Sequence, residues 1–298
     1  MQVKIPRRRV DGVLLLDKPV GLSSNAALQR AKRLFNAEKA GHTGTLDPMA
    51  SGLLPLCFGE ATKFARFLLD ADKHYRAVVH FGVATTTHDA EGDIVAERSV
   101  AIDRTMLEAA LPAFTGALRQ TPPMHSALKF QGRNYYEYAR KGIDIPRTPR
   151  AVEVKKVAVV DWASPIATLD ILCSKGTYVR TLAADLGTAL DCGAHLAALR
   201  RTATGGFRLD DAIALDALAA LDSGARDARL YPVDCLLGTL PRLDVAGDEA
   251  MRLRHGRSID APTRTSARFR AYGPDGDLLG VLSRIDDVLV PDRLLRYT

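Results

Sequence analysis

The sequence has no long apolar run. A membrane-spanning helix needs roughly 18 consecutive apolar residues, and no stretch of the 298 residues approaches that length. The apolar run after the basic N-terminus covers only residues 13–16, which is too short for a secretory signal. We therefore expect a soluble protein that stays in the cytoplasm and has no membrane partner.

Cysteine is scarce, and patterns that bind metals or phosphates are missing. None of the four cysteines, Cys57, Cys173, Cys192 and Cys235, has the two-residue spacing of a zinc or redox pair. The seven histidines are scattered without an H-E-x-x-H pattern, and no glycine-rich segment ends in Gly-Lys-Ser/Thr. The sequence predicts no metal and no cofactor, and it leaves a metal-dependent hydrolase as a minor alternative.

Length and composition indicate a globular protein of two domains. Domains average about 150 residues, and 47% hydrophobic with 26% charged residues is ordinary for a folded chain. Strand and helix patterns alternate without a βαβ rhythm, which predicts an α+β fold with a mixed or antiparallel sheet in residues 1–240. From Pro241 onward short strand patterns and turns dominate, so residues 241–298 are predicted to form a small β-rich domain.

Periodicity gives the coarse element predictions. Strands are expected at residues 12–16, 75–81, 152–160 and 167–173, and helices at 24–36, 60–69, 103–111, 134–141, 177–190 and 210–221. In the C-terminal part we expect strands at 243–245, 269–272 and 278–282 and a short helix at 249–254.

Positive charge is concentrated in one segment. Residues 119–156 contain nine Lys or Arg against three Asp or Glu, a local excess of +6 that equals the net charge of the whole chain. Four aromatic residues, Phe130, Tyr135, Tyr136 and Tyr138, lie within this segment. Cations bind phosphates and rings stack on bases, so the mixture suits looped or single-stranded RNA.

The segment Gly41-His42-Thr43-Gly44-Thr45-Leu46-Asp47-Pro48-Met49-Ala50-Ser51-Gly52 contains most of the chemical signal. Its small residues let the backbone approach a ligand closely. Pro48 favours an extended conformation at Asp47, so the carboxylate is expected to project from a loop. A structural turn with Asp47 bonded to nearby amides is the alternative.

This segment, continued by Leu53-Leu54-Pro55-Leu56, resembles the catalytic motif of the TruB family of pseudouridine synthases. Four further segments resemble that family in the right order: residues 18–25 (KPVGLSSN), 73–75 (KHY), 175–182 (KGTYVRTL) and 199–202 (LRRT). The resemblance covers nearly all of the first 240 residues. Residues 241–298 resemble, less specifically, a PUA-type RNA-binding domain.

The resemblance implies a role for individual residues. Asp47 is expected to be the nucleophile in the conversion of uridine 55 of the tRNA T loop to pseudouridine, with the target base flipped out of its stack. Arg180 is expected to pair with Asp47 and to hold it charged by lowering its pKa, with Asp89 as a second carboxylate. Tyr75 is expected to stack on the uracil and take part in proton transfer.

Further roles follow from the same resemblance. Tyr178 and Leu199 are expected to line the uracil pocket, His42 to brace the gap left by the base, and Lys18 to support the site. Residues 119–150 resemble the RNA-gripping insertion of the family. The T arm of tRNA is the expected partner, with no obligatory protein partner and a monomeric chain.

Two alternatives remain open at this stage. The related guide-RNA-dependent synthases share the aspartate motif, and an RNA-binding or RNA-folding module without catalysis fits the charge equally well. The sequence leaves open whether the first attack is at C1′, which group accepts the proton, which tRNA species are preferred, and the oligomeric state.

Overall fold

The computed structural model describes residues 6–261 and 266–296, which form a large mixed sheet and a separate five-stranded sheet. Residues 1–5, 262–265 and 297–298 of the two predicted domains lie outside the described residues. The predicted α+β architecture with a small β-rich C-terminal unit is confirmed. The boundary at residue 240 stays a prediction.

The larger sheet has ten strands: β1 (Gly12–Lys18), β2 (Ala40–His42), β3 (Ala50–Phe58), β4 (Lys73–Phe81), β7 (Gly116–Gln120), β10 (Arg150–Ala163), β11 (Ile166–Cys173), β12 (Ala194–Thr204), β13 (Phe207–Arg208) and β14 (Ile213–Ala214). Two small antiparallel pairs stand apart from it, β5 (Val83–Thr85) with β6 (Ile94–Glu97) and β8 (Lys129–Phe130) with β9 (Arg133–Asn134). The order across the larger sheet is β14-β1-β3-β12-β4-β11-β10-β7, with β2 beside β3 and β13 beside β12. Among these pairs only β1–β14 and β3–β12 are parallel.

The second sheet contains β15 (Arg242–Asp244), β16 (Ile259–Asp260), β17 (Arg268–Tyr272), β18 (Leu278–Ile285) and β19 (Val288–Leu294), in the order β15-β17-β18-β19-β16. The helices are α1 (Ser24–Leu34), α2 (Ala65–Leu69), α3 (Arg104–Ala110), α4 (Tyr135–Ala139), α5 (Val179–Ala189), α6 (Leu215–Ala220), α7 (Ser223–Asp227) and α8 (Gly247–Arg254). Four short 3₁₀ helices lie at Gly59–Lys63, Leu111–Phe114, Leu209–Asp211 and Val233–Leu237. None of the helices formed by the described residues is long and apolar enough to cross a membrane.

Local sequence explains where two of the longer helices begin. The Ser23 side chain accepts a hydrogen bond from the Ala26 amide, and Asp103 does the same for Met106. Each bond satisfies one of the amide groups that a helix N-terminus leaves without a partner. Both helices therefore begin at the predicted positions.

The core lies on both faces of the large sheet. The main cluster of buried apolar side chains packs α1 and α5 against one face, with Ala27, Phe35 and Leu182 among its members. A second cluster covers the other face at β1 and β3, and it includes Val281 from the second sheet. Burial of this residue joins the C-terminal unit to the larger sheet.

Several element predictions need correction. The helix expected at 60–69 is a 3₁₀ helix over Gly59–Lys63 followed by α2 over Ala65–Leu69, and β2, β7, β13, β16 and β19 were not predicted. The helix expected at 210–221 is a helix only over Leu215–Ala220, because residues 213–214 add a short parallel strand beside β1. The strands β3 and β12 were not predicted. The β12 sequence AHLAALRRTAT has a helical composition, but it lies between β3 and β4, and tertiary pairing overrides a weak local preference.

Candidate active site

The loop that carries Asp47 connects β2 to β3 and spans residues 43–49, which we call the Asp47 loop. Ser24, at the start of α1, holds it from one side: the Ser24 hydroxyl accepts from the Leu46 amide at 2.7 Å and lies 2.9 Å from the Leu46 carbonyl oxygen. The Gly21 amide donates to the Pro48 carbonyl oxygen at 2.8 Å. Both neighbours of Asp47 are therefore fixed by backbone contacts, and its side chain is 38% exposed.

Arg180 lies between two carboxylates. Its Nη2 atom is 3.0 Å from Asp47 Oδ2, and its Nη1 atom is 3.0 Å from Asp89 Oδ2. Nη2 also donates to the His125 carbonyl oxygen at 2.7 Å. The Arg180 side chain is only 6% exposed. The three acceptors hold its guanidinium in one place.

Asp89 is buried and fully bonded. Its Oδ1 atom accepts from the Thr87 hydroxyl at 2.5 Å and from the Glu91 amide at 3.1 Å. The Asp89 segment is tied to β12, since the Leu196 amide donates to the His88 carbonyl oxygen and the Ala90 amide to that of Leu196. The Asp89 side chain contacts Arg180 and does not line the cavity described next.

A cavity of about 410 Å³ opens over Asp47, Tyr75, Tyr178, Arg180 and Leu199. Five of the eight residues selected from the sequence therefore line one space. A larger groove of about 770 Å³ lies elsewhere and contains none of them; it is lined by residues 9–11, 38–39, 59–60, 63, 254 and 294–296. The smaller cavity is the candidate active site because it combines a carboxylate, a cation and two phenols.

Burial sets the direction of the main pKa shifts at the site. It raises the pKa of Asp47, and this outweighs the lowering by the Arg180 guanidinium; the negative charge of Asp89 adds to the rise. The Arg180 guanidinium does act to lower the pKa of Asp47, as the sequence predicts, but nothing in the sequence indicates the larger opposing effect of burial. Burial also raises the pKa of Tyr75, so that its hydroxyl is protonated at neutral pH.

Lys18 acts behind the cavity. Its ammonium is buried and donates to the carbonyl oxygens of Pro19 at 2.9 Å and Leu22 at 2.6 Å. Burial lowers its pKa to about 8. Because Gly21 in the same turn donates to Pro48, Lys18 braces the turn against which the Asp47 loop rests.

His42 lies at the end of β2, opposite Leu56 of β3, and does not line the cavity. Among the described residues its buried Nδ1 atom has no hydrogen-bond partner. Burial lowers the pKa of His42, which favours the neutral imidazole. Its role with the flipped base stays a prediction.

Three polar residues at the site have no role predicted from the sequence. Arg201 and Lys73 line the cavity and are buried, and both lie inside the short motifs that carry the family resemblance. Gln120 clamps Tyr178, since its Oε1 atom accepts from the Tyr178 amide at 2.9 Å and its Nε2 atom donates to the Tyr178 carbonyl oxygen at 3.3 Å. No local signal in the sequence points to Gln120.

Residues 121–149 form an excursion from the large sheet. Gln120 at the end of β7 pairs with Arg150 at the start of β10, so the chain leaves and returns at the same point. Residues 126–128 at the base of this excursion line the cavity. The Phe130 and Tyr138 rings of the same segment pack edge to face with centroids 5.9 Å apart. This contact covers part of the ring surface that could stack on a base.

No group of three or more His, Cys, Asp or Glu side chains within residues 6–261 and 266–296 is arranged to hold a metal ion.

Two family models match consecutive parts of the chain. The N-terminal domain of the TruB family pseudouridylate synthases matches residues 32–179, and the C-terminal domain of tRNA pseudouridylate synthase B matches residues 180–238. The first match contains Asp47, Tyr75 and Asp89, and the second contains Arg180 and Leu199. By class, the chain is a pseudouridylate synthase, an isomerase.

The curated relatives make the assignment more specific. The tRNA pseudouridine synthase B of Thiobacillus denitrificans is 55% identical over 98% of this chain and 98% of its own length. That of Burkholderia mallei is 54% identical over 98% of this chain and 96% of its own. The chain belongs to the TruB family.

Among solved structures, a chain of a Cbf5-Nop10-Gar1 complex matches with a TM-score of 0.73 and 24% identity, over 96% of this chain and 84% of that chain. A chain of the H/ACA ribonucleoprotein bound to a substrate RNA containing 2′-deoxyuridine matches with a TM-score of 0.72 and 23% identity, over 96% and 85%. These similarities show that the chains share a fold.

Proposed function

We propose that the chain converts uridine 55 in the T loop of tRNA to pseudouridine, with Asp47 as the nucleophile acting on a flipped nucleotide. The observation that carries the proposal is the Asp47 carboxylate, held 3.0 Å from Arg180 at the wall of a cavity that also contains Tyr75 and Tyr178. The names of the 54–55% identical relatives support tRNA as the substrate.

The reaction conserves atoms and electrons. The C1′–N1 bond breaks, the uracil turns, C5 bonds to C1′, and the proton lost from C5 is balanced by the one gained at N1. Asp47 either attacks C1′, forming an ester bond that breaks when C5 displaces the carboxylate, or assists the departure of the uracil anion. An aspartate needs no activating base in its ionised form. The isomerisation requires no oxidant, hydrolysis or metal, so we propose an enzyme without a cofactor.

The walls of the cavity suit a flipped base. Tyr75 presents a ring for stacking, and Leu199 and Tyr178 complete an apolar pocket. We propose that His42 braces the gap left by the flipped base and that Lys18 supports the turn beneath the Asp47 loop. Base extrusion costs a few kcal/mol, which contacts of this kind offset. We also propose that Tyr75 takes part in proton transfer; burial raises the pKa of its phenol, so the hydroxyl carries its proton at neutral pH.

We further propose that residues 119–150 grip the T arm and that residues 241–298 act as a PUA-like RNA-binding domain. The base of the 121–149 excursion at the cavity supports the first assignment. We propose a cytoplasmic monomer that works without an obligatory protein partner.

The test uses the purified chain and a T-arm stem-loop transcript, with pseudouridine mapped by position. We expect one modified uridine, full activity in a strong chelator, and no requirement for a guide RNA. Asp47→Asn should abolish turnover and leave tRNA affinity within a few fold, because binding and chemistry are separable.

The matched control is Asp170→Asn, another aspartate of the same sheet. Asp170 pairs with Arg76 at 2.9 Å, and Arg76 is adjacent to Tyr75 in β4 and so points to the opposite face. This variant should keep full activity. Normal turnover by Asp47→Asn would exclude the mechanism, activity only with a guide RNA would favour the guide-dependent class, and binding without turnover by the unaltered chain would leave an RNA-binding module.

A further inference from the structure

Arg201 is a buried cation in the wall of the active-site cavity. Its side chain is 1% exposed and is among the largest fully buried side chains of the described residues. It lies on β12, opposite Gly52 of β3 on one side and Tyr75 of β4 on the other. It therefore stands between the strand that follows the Asp47 loop and the strand that carries Tyr75.

The guanidinium connects both ends of the Asp47 loop. Nη2 donates to the carbonyl oxygen of Gly44, within the loop, at 3.1 Å, and Nε donates to that of Leu53, beyond it, at 2.7 Å. The backbones are also in close contact, since a Cβ atom on Gly52, whose φ is +101°, would lie 2.3 Å from the Arg201 carbonyl oxygen. Only glycine allows this approach at such a φ.

Arg201 also faces Tyr75. Tyr75 of β4 and Arg201 of β12 are direct partners in the strand register, and the guanidinium opposes the effect of burial on the pKa of the phenol. Within the part of the chain that the structure describes, no carboxylate forms an ion pair with Arg201. A buried cation without a counter-ion is a poor way to stabilise a fold, which points to a role at the site.

We propose that Arg201 is a positioning residue that fixes the Asp47 loop and Tyr75 relative to each other. One planar group beside Tyr75 donates to two carbonyl oxygens, which the single ammonium of a lysine cannot do in the same geometry. The inference rests on the proposed function, because it concerns the distance between the nucleophile and the ring that holds the base.

The test is Arg201→Lys, which keeps the charge and can donate to one of the two carbonyl oxygens. Displacement of a reacting group by about 1 Å costs on the order of 100-fold in rate. We expect kcat on the T-arm stem-loop to fall about 10- to 100-fold while the Kd for the same RNA stays within about two-fold. Circular dichroism at the assay temperature should show a folded chain.

Arg200→Lys is the matched control. Arg200 is the neighbouring arginine on β12, contacts Asp17 at 2.7 Å and Ser51 of β3 at 3.2 Å, and is 44% exposed. Its substitution should leave kcat and Kd unchanged. Double substitution with Tyr75→Phe should lower kcat by less than the product of the two single effects, because both variants disturb one unit.

Each other outcome overturns the inference. Unchanged kcat in Arg201→Lys would show that the two carbonyl contacts do not position the nucleophile. A rise in Kd as large as the fall in kcat would assign Arg201 to RNA binding, and an unfolded Arg201→Lys chain would assign it to stability. Lack of turnover by the unaltered chain would refute the proposed function instead, so the two failures are distinguishable.

Discussion

Asp47 and Asp89 lie at the same distance, 3.0 Å, from the same guanidinium, but their side chains are 38% and 2% exposed. This difference predicts unequal stability of the two isosteric variants. In Asp89→Asn a buried cation loses a charge-assisted bond, and breaking a buried pair costs about 3 kcal/mol or more. We expect the free energy of unfolding to fall by about 3 kcal/mol, at the low end because Arg180 keeps Asp47 and the His125 carbonyl oxygen.

Asp47→Asn should behave differently. Its pair with Arg180 is partly solvated, and such pairs contribute about 0–1 kcal/mol. Because burial raises the pKa of Asp47 in the folded state, the folded chain binds the proton more tightly than the unfolded chain, and ionisation at neutral pH subtracts from stability. We therefore expect a change of no more than about 1 kcal/mol, in either direction.

Urea denaturation at pH 7 measures both values, followed by circular dichroism and by the fluorescence of Trp162, the single tryptophan of the chain. Asp170→Asn serves as a control, since its carboxylate is 28% exposed and its loss should cost about 1 kcal/mol or less. Equal losses in Asp47→Asn and Asp89→Asn would refute the reasoning, because burial would then not distinguish the two carboxylates.

Three further outcomes follow from the same site. Burial raises the pKa of Asp47, and the negative charge of Asp89 raises it further. Asp89→Asn should therefore move the acid limb of the kcat/KM profile to lower pH. A profile of the variant from pH 4.5 to 8 whose acid limb lies at higher pH than that of the unaltered chain would contradict this. Burial lowers the pKa of Lys18 to about 8, so between pH 8 and 10 the unfolded chain binds more protons than the folded chain. The free energy of unfolding of the unaltered chain, relative to that of Lys18→Met, should therefore rise from pH 8 to pH 10. Urea denaturation at the two pH values measures this, and a fall in the relative free energy would contradict the prediction. If the exposed Arg133 contacts a phosphate, Arg133→Gln should reduce the slope of log K against log salt by about 0.7–0.9, and an unchanged slope in a salt titration would remove this contact.

Local chemistry in the sequence was sufficient for several features of the fold. Ser23 and Asp103 predict the starts of α1 and α3, since capping depends on a side chain two or three residues from the amide that it satisfies. Alternation around Tyr75 predicts β4, because its side chains face opposite sides of the sheet. The strand β12 escaped prediction because its pairing partners are distant in the chain.

The sequence by itself determined that Asp47 projects from a loop of small residues and that Arg180 lies in the first turns of a helix, and the quoted motifs indicated the family. Only the tertiary structure gave the contacts themselves: each carboxylate lies 3.0 Å from Arg180, two carbonyl oxygens hold Lys18 behind the cavity, and Arg201 is bonded to Gly44 and Leu53. It also decided the direction in which the pKa of Asp47 shifts, since burial outweighs the neighbouring guanidinium. Desolvation and these contacts depend on which strands lie side by side, and that is a property of the folded chain as a whole.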